Sequence, residues 1–244
     1  MADPHIDVVD DASWLALVGA DVVAGVVHDD GPVTIVPATG ETPVGMYAEL
    51  AERRTRGDLD TDGVSIVQLD EYLGLAPDDR RALFGWMERT VLEPLAIDPG
   101  RVARLPTDGD VDAACVEFDR ALGRRGGIDL AILGLGDNGH LGFNEPPSAA
   151  TSPTRAIELT PATIRANARY WGSTSDVPTR AVTLGLRPLL AADTIILLVS
   201  GARKHHIVHR ALEGPVGEDV PASFLREAAA NVTVIVDRDA WGTA

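Results

Sequence analysis

Short apolar runs alternate with amphipathic stretches along the whole chain. Asp11 to His28 carries an apolar stripe through Trp14, Leu17, Val22 and Val26, which predicts a helix. Val33 to Val36, Val64 to Leu69, Asp129 to Leu135 and Thr194 to Val199 hold almost no charge, the pattern of strands buried on both faces of a parallel sheet. Val102 to Leu105, Ala156 to Leu159, Ala181 to Leu184 and Val232 to Val236 read as further strands, the second of these at an edge. Helices are predicted from Pro43 through Tyr47 and Leu50, over Asp79 to Leu95, Asp110 to Leu122, Pro161 to Tyr170 and Pro221 to Ala230, and after Ser200-Gly201. Thr42 is placed to cap the helix that Pro43 opens. No repeat, low-complexity segment or linker interrupts the alternation. The pattern predicts one α/β domain over residues 1–244, with a mainly parallel sheet covered by helices on both faces.

Such a sheet gathers the carboxyl ends of its strands on one edge, and four of those ends carry chemistry. After Val36 comes Pro37-Ala38-Thr39-Gly40-Glu41-Thr42-Pro43, a turn running into a helix start. Its free backbone N–H groups and the helix dipole suit an anion, although a carboxylate at Glu41 works against a phosphate unless it points away. Leu69 runs into Asp70-Glu71-Tyr72, a pair of carboxylates or simply a solvated turn. Leu135 is followed by Gly136, Asp137, Asn138 and Gly139, then by His140, Asn144 and Glu145. This loop offers acid and base groups, or a glycine-rich turn whose polar side chains satisfy local backbone. Val199 leads to a helix with Lys204 in its first turn. Together the four predict a crevice for a small phosphorylated molecule, with no metal or dinucleotide motif beside them. His205 and His209 lie four apart but lack a third ligand, so they read as structural. Asp78 to Arg81 reads as a solvated helix start.

Composition narrows the partners. A net charge of −16 over 244 residues argues against nucleic acid or an anionic membrane surface. Lys204 is the single lysine beside twenty arginines, which singles it out. The acidic start MADPHIDVVDDASW fits neither a secretory nor a transit peptide, and the Trp14 to Val27 stretch is broken by Asp21 and two glycines, so neither predicts a membrane. Cys115 has no partner for a disulfide and shares a helical face with Val111, Phe118 and Leu122, which predicts core packing. A cytoplasmic enzyme or binding protein is the default.

The strings IVPATGETPVGMY, LDEYLGL, LGLGDNGHLGFNEP, SPTR with ELTPATIRANAR, and SGARKHHIV resemble the glucosamine-6-phosphate deaminase (isomerase) family, in the superfamily that also holds 6-phosphogluconolactonase. The likeness runs over roughly residues 33 to 236, and the Phe-Asn-Glu-Pro continuation after His140 sets it apart from the lactonases. It implies a Rossmann-like three-layer sandwich, conversion of glucosamine 6-phosphate and water to fructose 6-phosphate and ammonia, and no cofactor or metal. It further implies that Asp70 moves the C2 proton to C1. His140 opens the sugar ring, with Glu145 hydrogen-bonded to it as the group that positions and polarises the imidazole. Arg169 and Lys204 hold the phosphate with the N–H groups of Thr39, Gly40, Glu41 and Thr42, and Gly136 joins the substrate-binding set. The implied partner is a phosphorylated amino sugar bound by a monomer or small homo-oligomer.

The chain departs from that pattern in places. Asn138 stands where some members have an aspartate. An amide orients an imidazole without stabilising its charge, so a lower histidine pKa is expected than an aspartate would give. Asp78-Asp79-Arg80-Arg81-Ala82-Leu83 replaces a His-Pro and Ser-Tyr segment. Arg155 matches one basic residue of an allosteric sugar-phosphate site, but Ile157 falls where a lysine would lie, so activation by N-acetylglucosamine 6-phosphate is not expected. A lactonase of phosphorylated sugar acids and a non-catalytic sugar-phosphate sensor stay open as alternatives. The sensor reading lacks a segment for a DNA-reading helix pair.

Overall fold

Eighteen strands and helices make up the computed structural model, which describes residues 3–28, 31–76 and 79–242. Asp78, where the predicted solvated cluster begins, lies outside the described residues. In chain order the elements are β1 (His5–Val9), α1 (Ala12–His28), β2 (Val33–Val36), α2 (Val44–Arg56), β3 (Val64–Val67), β4 (Asp70–Tyr72), α3 (Leu83–Met87), β5 (Val102–Ala103) and α4 (Val111–Arg124). They continue with β6 (Leu130–Gly134), β7 (Arg155–Glu158), α5 (Pro161–Trp171), β8 (Arg180–Thr183), α6 (Leu186–Leu190), β9 (Thr194–Val199), α7 (His205–Glu213), β10 (Asn231–Asp237) and α8 (Arg238–Trp241).

Seven strands form one parallel sheet in the order β1-β10-β9-β6-β2-β3-β5. Its central strands are buried on both faces, as Leu130 to Leu133 and Ile195 to Val199 show, so helices cover both sides as the uninterrupted apolar runs predict. From β2 the chain winds out to β3 and β5; from β6 it winds the other way to β9 and β10. The reversal opens a crevice between β2 and β6 at their carboxyl ends, the place where such sheets bind ligands. Among the described residues no helix is long and apolar enough to cross a membrane.

Two predicted strands land elsewhere, and a predicted strand end proves to be a strand of its own. Asp70 to Tyr72 does not extend β3 but forms β4, which pairs antiparallel with β8, and β8 with β7, in a separate three-stranded sheet. Ala181 to Leu184 and Ala156 to Leu159 therefore belong to this small sheet, shifted by one residue, and not to the parallel one. Tyr72, Phe143, Leu159, Trp171, Val177 and Ala181 form its own apolar cluster, with Tyr72 edge-on to Trp171 at 5.2 Å. The small sheet thus comes with α5 as a wall beside the crevice.

Other boundaries shift for local reasons. On α1 the buried face is Leu15, Ala16, Gly19, Ala20, Val23 and Ala24, whereas Trp14 and Leu17 of the predicted stripe are 53% and 38% exposed. Close packing selects the small residues: a Cβ on Gly19 would stand 2.8 Å from the Met46 sulfur of α2. Pro43, not Thr42, precedes the first residue of α2, and no side chain caps it. The helix expected over Asp79 to Leu95 starts only at Leu83 and widens into a π-turn over Glu88–Leu92. Pro221 to Ala230 is a 3-10 stretch over Pro221–Glu227, and the short β1, α6 and α8 carry too few periodic positions to be read from the chain. Thr160 caps α5 by accepting from the Thr163 N–H at 3.2 Å, with Pro161 in the first turn.

Candidate active site

The four chemistry-bearing segments follow β9, β6, β2 and β3, which are consecutive neighbours in the sheet. Adjacent strands lie about 4.8 Å apart, so Lys204, the His140 loop, the Thr39 turn and Asp70 line an edge roughly 14 Å long. That span suits a hexose phosphate.

Asp70 is the first residue of β4 and only 4% exposed. Its register partner is Thr183, whose hydroxyl accepts from the Phe143 N–H at 3.1 Å, so β8 links Asp70 to the loop that carries His140. The Thr39 hydroxyl donates to the Asp70 carboxylate at 3.2 Å, joining the anion-binding turn to the candidate base. Burial, and after it the charge of Glu71, pushes the Asp70 pKa up to about 7 against the pull of the Thr39 bond. A carboxyl poised there can both take and return a proton near neutrality.

The turn itself is built for an anion. Gly40 has φ +111°, a left-handed backbone that a side chain would strain. Among the described residues no acceptor takes the N–H of Gly40, Glu41 or Thr42. These donors lie between the carboxyl end of β2 and the start of α2.

His140 is shaped by the loop after β6. A Cβ on Gly136 would lie 2.2 Å from the imidazole, so the ring rests flat against that glycine and any side chain there would expel it. The Gly136 N–H donates to the His140 carbonyl at 3.0 Å and closes the loop. Nδ1 sits 2.6 Å from the Asn138 amide oxygen, an arrangement that puts the ring proton on Nδ1 and leaves Nε2 as an acceptor. Burial holds the imidazole below its ordinary pKa; the Glu145 charge opposes this, and Lys204 adds to it. Burial thus favours the neutral ring, the state a proton acceptor requires.

The expected hydrogen bond between Glu145 and His140 is replaced by another arrangement. Glu145 is buried and accepts from the Thr160 N–H at 3.0 Å, the Thr160 hydroxyl at 2.8 Å and the Thr163 hydroxyl. A carboxylate at the N-terminus of α5 is satisfied by that helix's donors, so it acts on His140 through its field while Asn138 orients the ring. Asn144 is also structural: its amide donates to the Leu141 and Leu184 carbonyls and its oxygen accepts from Arg155 at 2.8 Å.

Both candidate phosphate ligands hold carboxylates. Lys204 pairs with Asp137, a residue whose role is invisible from the motif alone, and the pair keeps the Asp137 pKa low. Arg169 is 3.4 Å from Glu41, and the Tyr170 hydroxyl donates to Glu41 at 3.0 Å. Glu41 therefore does not point away from the cations, as a phosphate-binding turn would prefer; it reaches across to α5. Tyr170 is the other residue the sequence reading missed, and its only signal was its position next to Arg169.

His205 and His209 carry no metal cluster among the described residues. His209 uses both ring nitrogens, Nδ1 toward Glu213 at 3.1 Å and Nε2 toward the Trp241 carbonyl at 3.0 Å. That is the structural role expected of it. Cys115 is buried beside Leu105 and Val182, packed by Val111 and Phe118 as predicted.

Comparison with known proteins agrees with this geometry. The family model for glucosamine-6-phosphate isomerases/6-phosphogluconolactonase matches residues 12–234. A glucosamine-6-phosphate deaminase of Halothermothrix orenii is 41% identical over 205 residues, 83% of this chain and 84% of the relative. Another, of Corynebacterium aurimucosum, is 37% identical over 93% of this chain and 88% of its own. The solved structure of a monomeric glucosamine-6-phosphate deaminase superposes with a TM-score of 0.94 at 32% identity, covering 98% of this chain and all of that one. A 6-phosphogluconolactonase of Leishmania guyanensis shares the fold, with a TM-score of 0.76 at 21% identity over 100% of this chain and 99% of its own. The chain belongs to the glucosamine-6-phosphate isomerase/6-phosphogluconolactonase family.

Proposed function

We propose that this protein is a glucosamine-6-phosphate deaminase, converting glucosamine 6-phosphate and water to fructose 6-phosphate and ammonia. The observation that carries the reading is a buried carboxyl poised near neutrality and an oriented imidazole on one sheet edge with Lys204, which Arg169 approaches from α5 through Glu41. Lys204, Arg169 and the N–H groups of the Thr39–Thr42 turn bind the phosphate, which displaces Asp137 and Glu41 from the two cations. His140 Nε2 accepts the proton of the sugar's 1-hydroxyl and delivers it to the ring oxygen, opening the ring. Asp70 takes the C2 proton and returns it at C1, converting the open-chain amino aldose to a 2-imine. Water then adds at C2, and ammonia leaves as the ketone forms.

The curated relatives at 35–41% identity bear the deaminase name, whereas the lactonase structures are similar at the level of the fold alone. The assigned roles call on no residue from a second copy, and a phosphorylated sugar substrate fits a cytoplasmic enzyme. Arg155 is engaged internally, with Asn144 and with the Ser148 hydroxyl at 3.2 Å, and Ile157 supplies no second cation near it. An assay coupled to ammonia and to fructose 6-phosphate is expected to give equal amounts of both, with hyperbolic kinetics that N-acetylglucosamine 6-phosphate does not move. Hydrolysis of 6-phosphogluconolactone without ammonia release would reverse the reading.

A further inference from the structure

Asp70 and Glu71 are neighbours on β4, so their side chains leave the strand on opposite sides. The first reaches the Thr39 turn and the second points back under α3. Glu71 is 4% exposed. It accepts four hydrogen bonds: from the N–H groups of Leu83 at 2.9 Å, Phe84 at 2.8 Å and Tyr72 at 2.9 Å, and from the Gln68 amide at 3.0 Å. All four donors are neutral. Among the described residues no lysine, arginine or histidine makes an ion pair with it. Four neutral donors satisfy the carboxylate oxygens without supplying an opposite charge, and a charge placed there is felt one residue away through low-dielectric protein.

Gln68 extends the tether. Its amide nitrogen also donates to the Asp70 carbonyl at 3.1 Å, and its oxygen accepts from the Leu105 N–H at 3.2 Å. One side chain thus fixes the backbone of Asp70, the carboxylate of Glu71 and the strand end beyond β5. The other polar groups about Asp70 are the Thr39 hydroxyl from the β2 turn, Thr183 from β8, and the Tyr72 phenol. Arg104 lies over the Phe84 ring at 3.7 Å, and Arg81 is engaged with Asp79 at 2.7 Å and stacked on Trp171.

We propose that Glu71 is a positioning residue for proton transfer: its tether to the start of α3 and to Gln68 fixes the direction in which Asp70 points, and its carboxylate, with no cation paired to it, adds to burial in acting on that neighbour. The proposal rests on Asp70 as the transfer base. It assigns a task to a buried carboxylate that touches no substrate.

The test is a carbon-13 NMR titration of the Asp70 carboxyl in the whole protein, read beside kcat against pH. Glu71→Gln removes the charge and is expected to lower the Asp70 midpoint by about 1 pH unit, moving the acid limb of kcat with it. Glu71→Asp keeps the charge on a shorter stem; its midpoint is expected within about 0.3 unit of the parent, with kcat down about ten-fold from lost aim. A midpoint unmoved in Glu71→Gln, or one that falls in Glu71→Asp, overturns the proposal. Because Glu71→Gln sets an amide N–H against two of the four donors and can fail to fold, the Asp variant decides the matter alone in that case. The titration needs no turnover, so it stands even if the ammonia assay is negative, and that result would count against the deaminase reading only.

Discussion

Asp70→Asn is expected to lower kcat by roughly two to four orders of magnitude while KM stays within about three-fold. Asparagine has nearly the same shape, and its amide oxygen can still accept from the Thr39 hydroxyl, so the turn that binds phosphate keeps its anchor. What disappears is the group proposed to carry a proton between C2 and C1.

The same substitution is expected to stabilise the fold at alkaline pH. In the unfolded chain the Asp70 carboxyl ionises near its model value of 3.8; in the folded protein it does so at about 7. Between those values the native state holds a proton that the unfolded state has lost, so stability falls as pH rises through this window and stays reduced above it. Asparagine never ionises. The variant's melting temperature should exceed the parent's by roughly 3–8 °C at pH 8 and match it near pH 4. A Tm lower than the parent's at pH 8, with kcat preserved, would remove Asp70 from the centre of the mechanism.

Lys204→Ala is expected to reduce kcat/KM by about 10²–10³-fold, mostly through KM, because a charge-assisted bond to a phosphate oxygen is lost at a half-enclosed site. Its partner Asp137 is largely exposed, so losing the lysine strands no buried charge. Lys204→Arg should recover little, since a planar fork does not replace a compact ammonium. Glu41→Gln is expected to act in the opposite direction, lowering KM about two- to five-fold with kcat unchanged, since Arg169 no longer has to leave a carboxylate. The effect is small because that ion pair is solvent-exposed on both sides. Steady-state kinetics on the three variants check the set. Equal KM in all of them would place the phosphate elsewhere.

Legibility in the sequence followed physical rules. Strands buried on both faces announce themselves as uncharged runs, and the change to glycine and polar residues marks where each one ends. The Thr39 turn, Asp70, His140 and Lys204 could therefore be placed on one edge before any coordinate was known. What the pattern could not carry was pairing. β4, β7 and β8 are three or four residues long, and nothing in such short segments says that they leave the parallel sheet and pair antiparallel beside it. Likewise the partners of Glu145 are Thr160 and Thr163, a helix start brought in by folding, whereas the resemblance implied a bond to His140. Trp14 misled for a different reason. Hydrophobicity ranked it above Gly19 and Ala20, but the approach of α2 selects for small size, and the indole stays at the surface.

One base serving two carbons is the claim everything else depends on, and isotopic transfer reads it most directly. With glucosamine 6-phosphate deuterated at C2 and turned over in ordinary water, a measurable share of the label should appear at C1 of fructose 6-phosphate. The carboxyl that carries it is 4% exposed and shielded from rapid exchange, and the transfer should vanish in Asp70→Asn. Label lost entirely to water, or substrate recovered unchanged with the parent protein, would contradict the account.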